Sequence, residues 1–139
     1  MTVSQSIIAW LKQFNPEEYW EMNTINTDLQ SADTCTYALY KEPIQNVKRY
    51  ISGKSIHTDH YSIMARLGSQ TNNERIENGA WGEALTDWIE EKNRNKEFPI
   101  LDRGAVSAIA VTTPFYMGKT ETKDSIYQMT ISIEYEKGV

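Results

Sequence analysis

The chain has 139 residues, 40% of them hydrophobic, and a net charge of −5. That length supports one domain over 1–139, with enough apolar side chains for a core that needs no covalent staple. The acidic balance excludes a general nucleic-acid binder, which needs a basic footprint, and the single cysteine, Cys35, excludes an internal disulfide.

No basic segment followed by an apolar run opens the chain, and nowhere do 18 apolar residues run together. A soluble protein without a membrane partner, kept in the cytoplasm until assembly or release, is expected. Four Trp and eight Tyr are many for this length. Some are expected at protein–protein contacts, where such rings are favoured.

Thr2-x-x-Gln5 has the form of a capping box, and Val3, Ile7, Trp10, Leu11 and Phe14 follow at helical spacing. Asn15-Pro16 should stop that helix, because the residue before proline disfavours the helical region. Glu17–Trp20 suggests a short helical turn. Met22–Leu29 is a weak strand pattern. Thr34–Lys41 is a better one, with Cys35, Tyr37 and Leu39 on one face, and Pro43 should end it or force it to an edge.

Val47–Ile51 and Ile56–Leu67 flank Ser52-Gly-Lys-Ser55 and predict a hairpin. In the longer arm Tyr61, Ile63, Ala65 and Leu67 alternate with His60, Ser62, Met64 and Arg66. Thr71-x-x-Glu74 is a second capping box, opening a helix over about Asn72 to Asn95. Ile76, Ala80, Trp81, Ala84, Leu85, Trp88 and Ile89 make its apolar stripe. Gly79 and Gly82 each cost about 1 kcal/mol relative to Ala inside a helix, which predicts close approach to a sheet. Phe98-Pro99 closes the segment.

The last third is the clearest part. Tyr127, Met129, Ile131, Ile133 and Tyr135 share one face, and Gln128, Thr130, Ser132 and Glu134 the other. Alternation held this long predicts a strand with one buried and one wet face. Ala105–Tyr116 precedes it, and the linker Gly118–Asp124 has no apolar residue, so the pair reads as a long antiparallel hairpin. The order is α, several β, α, β-hairpin. The predicted class is α+β, an antiparallel sheet with both helices on one face.

Few residues carry chemistry. His57, Asp59 and His60 lie together, but on a strand His60 points away from the other two, so a polar strand is favoured over a metal site. Cys35 reads as a small buried hydrophobe rather than a nucleophile. Gly53-Lys-Ser55 lacks the upstream glycine of a phosphate loop, and Ser52-Gly53 does not have the spacing of a nucleophile elbow. Asp87, Glu90 and Glu91 read as a solvated helix face. No catalytic residue, cofactor or metal is predicted. Lys41, Lys48, Arg49 and Lys54 form a basic patch. Glu17, Glu18, Glu21, Asp28 and Asp33 are acidic, and a head-to-tail ring would pair these two patches.

Val47-Lys-Arg-Tyr-Ile-Ser-Gly53, Ile63-Met-Ala-Arg66, Leu85-Thr-Asp-Trp-Ile-Glu90, Phe98-Pro-Ile-Leu101, Thr113-Pro-Phe-Tyr116 and Tyr127-Gln-Met-Thr-Ile-Ser-Ile-Glu-Tyr135 occur in this order. In that order and spacing the chain resembles the small minor-capsid or tail-completion proteins of phages, prophages and phage-tail-like bacteriocins. The match spans most of the chain from Val47 onward. Pro16–Asp33 departs from it.

The resemblance implies a tail-terminator fold and a virion structural protein. It would form a homo-hexameric ring that caps the tail tube and meets the connector, collar or sheath. Assembly would take place in the host cytoplasm, with no specific nucleic-acid binding. Candidate contact residues are Trp20, Tyr40, Lys48, Arg49, Tyr50 and Tyr116. Lys119, Glu121 and Lys123 join them at the tip of the terminal hairpin, which is expected to reach beyond the body. Rival readings are a head-completion or head–tail adaptor protein and a small-molecule-binding or modifying enzyme. Some relatives carry a chloramphenicol-resistance description, which nothing in these residues supports.

Overall fold

The structure is a computed structural model that describes residues 2–16, 20, 22, 25–27, 36–69, 71–120 and 124–138. Its elements are α1 (Val3–Leu11), β1 (Ile25–Thr27), β2 (Thr36–Arg49), β3 (Ser55–Gly68), α2 (Asn72–Arg94), β4 (Ala105–Thr120) and β5 (Asp124–Lys137). One sheet holds the strands in the order β1-β2-β3-β5-β4. The four strands β2 to β5 pair antiparallel, and the class is α+β.

Both capping boxes form. Thr2 Oγ1 accepts from the Gln5 N–H at 3.1 Å while Gln5 Oε1 accepts from the Thr2 N–H at 2.7 Å. Thr71 and Glu74 make the same reciprocal pair at 3.1 Å each. Each box satisfies amide donors that the first helical turn leaves open.

One core joins the two helices to one face of the sheet. Tyr37, Leu39, Ile63, Tyr127, Met129 and Ile131 meet Ile7, Trp10, Leu11, Trp81, Leu85 and Ile89. The cross-strand rows Tyr37–Ala65–Tyr127 and Leu39–Ile63–Met129 run across three strands. Aromatic rings tie the helices together, with Trp10 and Trp88 centroids 4.7 Å apart. Phe14 is buried just past the end of α1, 5.6 Å from Trp88.

Several expectations are corrected. Of the two outcomes expected at Pro43 the strand does not end; Pro43 sits where β2 has no partner on its outer side among the described residues, and the pairing with β3 slips between Lys41 and Gln45. That irregularity takes the residue without an N–H out of the ladder. The two patterns around Pro43 are thus one strand, β2. The weak pattern near residue 25 yields a strand of three residues, and it pairs parallel to β2. Ile76 is 61% exposed and lies off the core stripe.

Gly82 does meet the sheet, since a Cβ there would lie 2.1 Å from Phe115 Cδ2, but a Cβ at Gly79 would have nothing within 4 Å among the described residues. The described strands of the terminal hairpin stay within the sheet, and residues 121–123 of its turn lie outside the described residues. Its second strand, β5, is paired along its whole length between β3 and β4. Residues Glu17, Glu18, Glu21, Asp28, Asp33 and Cys35 lie outside the described residues, as does most of the turn expected over Glu17–Trp20.

Candidate interaction surface

Every residue from Pro43 to Lys54 is exposed. These residues form the far half of β2 and the turn into β3, a hairpin arm at one corner of the sheet. β1 covers β2 at Tyr37–Leu39, and among the described residues nothing pairs with the outer side of the arm, which is an open strand edge. The Tyr50 N–H donates to the Lys54 carbonyl at 2.9 Å, and the Gly53 N–H to the Tyr50 carbonyl at 3.0 Å. Gly53 has φ 91°, a conformation that glycine adopts without steric penalty. Bonded and non-bonded pairs alternate along an antiparallel ladder. Counting back from Tyr50, the main-chain groups of Arg49 and Val47 point away from β3 and are open to another strand.

The arm is apolar and basic. Ile51 is fully exposed, and Ile44 and Tyr50 are 67% and 50% exposed. Single exposed apolar residues are ordinary, but a cluster marks a contact surface. Lys48 and Arg49 have no ion-pair partner among the described residues. Lys54 pairs with Glu136 at 2.5 Å. The hydrogen bond to Glu136, with its charge, pushes the Lys54 pKa up.

The base of the arm is tied to the core by a buried carboxylate. Asp59 is 1% exposed and accepts from Tyr135 Oη at 2.9 Å and from Gln45 Nε2. Lys41 Nζ lies 4.0 Å from it. His57 stacks on Tyr135 at 5.2 Å, and its Nε2 lies 2.9 Å from Ser55 Oγ. Burial holds the His57 pKa below its usual value, and the charges of Lys137 and Arg49 act in the same direction against Asp59. Burial raises the Tyr135 pKa, with the bond to Asp59 adding to it. This cluster fixes how the arm leaves the body.

The predicted contact residues divide. Lys48, Arg49 and Tyr50 lie together on the arm. Tyr116 is 44% exposed at the opposite edge, on β4. Tyr40 is half-buried on the sheet face away from the core, paired with Ser62. Trp20 is corrected: it stacks on Trp81 at 5.6 Å and packs against the core, so its ring is no free anchor. Lys119 lies in β4 by its backbone, and Glu121 and Lys123 lie outside the described residues. Ile44 and Ile51 were not singled out. The signal was an isoleucine set inside a turn-forming stretch.

His57 and Asp59 share a sheet face and His60 takes the other, with no metal-binding group of three among the described residues. Among the described residues no helix is long and apolar enough to cross a membrane. Neither family models nor curated proteins give a match to the chain.

Proposed function

We propose that this chain is a structural protein of a phage or phage-tail-like particle, a tail terminator that caps the tail tube as a ring and meets the connector or collar. The observation that carries the reading is the β2–β3 arm, with an open strand edge, an apolar tip and positive charge on a pinned base. The ordered motifs from Val47 to Tyr135 supply the class of particle. Edge pairing and aromatic or aliphatic anchors are how one subunit holds the next. Burying an exposed Ile or Tyr on assembly contributes about 2 kcal/mol each. Such a ring binds the last tube ring through the surface that another tube subunit would take, and growth stops there.

The test is polymerisation of the particle's own tube protein with and without this chain. Tube lengths should fall as the chain is added at substoichiometric amounts. Unchanged lengths would remove the terminator reading and favour an adaptor on the head side.

A further inference from the structure

We infer that the tip of the β2–β3 arm docks into the groove between α2 and β4 of a second copy of this chain. The inference deepens the ring reading and takes its biological setting from it, but the contact is tested separately below.

The groove has a volume of about 380 Å³, and its walls are Gly79, Gly82, Glu83 and Asp87 of α2 with Pro114 and Phe115 of β4. Its floor is rigid. Phe115 stacks on Tyr127 at 5.1 Å and meets Trp81 edge-on at 5.5 Å. Gly79 sits in the middle of a 23-residue helix, where glycine costs about 1 kcal/mol relative to alanine. Among the described residues nothing comes within 4 Å of a Cβ placed there. Its sister Gly82 has an internal reason in Phe115; Gly79 has none among the described residues, and close approach by an outside chain supplies one. Ile76, one turn earlier on α2, and Met117, two residues beyond Phe115, are exposed apolar side chains at its margins.

Charge selects the occupant. Glu83 and Asp87 are exposed and have no ion-pair partner among the described residues. In a chain of net charge −5, the arm is a local basic exception. Lys48 and Arg49 lie on opposite faces of β2, either side of the apolar tip. A basic apolar tip and an acidic apolar groove are complementary, which favours correct encounter and register.

The contact cannot form within one chain. β2 and β4 are separated by β3 and β5, so the two edges lie about 14 Å apart at ordinary strand spacing. The tip adjoins the register of Lys137 and the groove that of Gln128 to Thr130, roughly 26 Å along the strands. A contact between two different surfaces of the same chain is heterologous. It repeats from copy to copy, and it closes into a ring when the rotation allows.

The test uses two charge-reversed variants of the full chain. One carries Lys48→Glu with Arg49→Glu, the other Glu83→Lys with Asp87→Lys. Sedimentation equilibrium should show self-association of the wild type, weakened about tenfold or more in each variant. An equimolar mixture of the two variants should recover it, because each reversed tip then finds a reversed groove. Circular dichroism of each variant should match wild type. As a steric control, Gly79→Gln adds a side chain at the groove wall, where a Cβ meets nothing among the described residues, and should abolish association with circular dichroism unchanged.

A wild type that stays monomeric up to millimolar concentration overturns the contact. So does association that survives all three changes, or a mixture that fails to recover. Association that survives leaves the ring reading standing on another surface. Tubes left uncapped by a chain that associates as inferred sink the terminator reading alone.

Discussion

Asp59 shows how one residue sets the geometry of a whole surface. A carboxylate at 1% exposure is tolerated because Tyr135 and Gln45 donate to it. Tyr135→Phe removes the Tyr135 donor and should destabilise the fold by about 1–3 kcal/mol, read as a lower midpoint in urea. The same group gives a pH signature. Folding raises the Tyr135 pKa above 10.0, so its contribution is complete below pH 10.0 and declines above it. There the unfolded chain releases a proton that the folded chain keeps.

His57 acts at the other end of the scale. Its pKa is lowered from 6.5, so the stability it contributes is present above pH 6.5 and is lost as the pH falls through the lowered value. Thermal unfolding followed just below pH 6.5 should show this slope, and His57→Gln should flatten it. The sequence placed Tyr135 on a buried face by alternation alone. It did not reveal that Asp59 lies beneath it, because a cross-strand partner 76 residues away leaves no local pattern.

At the scale of elements, the two helices were legible because their signals are local. A capping box spans four residues and an apolar stripe repeats every turn. Thr71→Ala should lower stability by about 1 kcal/mol, seen as a fall in Tm. The two helical glycines should respond in opposite ways. Gly79→Ala should stabilise the isolated chain by about 1 kcal/mol, since the new Cβ meets nothing among the described residues. Gly82→Ala should destabilise it, because Phe115 occupies the space. Paired urea titrations check both.

β2 was harder to read. Proline in a strand normally argues for a break, and only the slip of pairing at Lys41–Gln45 keeps the strand whole. β4 is interrupted by four register shifts. They blur its alternation and guard an edge that would otherwise invite another strand.

For the whole molecule, the last strand pattern was the strongest signal in the chain, yet its place was not legible. Alternation predicts one buried face and says nothing about neighbours, and β5, the second strand of the hairpin expected to project, lies inside the sheet between β3 and the edge strand β4. At the opposite corner the β2–β3 arm carries the exposed apolar side chains Ile44, Tyr50 and Ile51. The central claim is that this chain closes into a ring on the end of a tail tube. Electron microscopy of tubes polymerised in its presence tests this most directly. The account predicts a closed ring at one tube end, with a mass near six times the 16.0 kDa of one chain. Bare tube ends beside unbound monomers would contradict it.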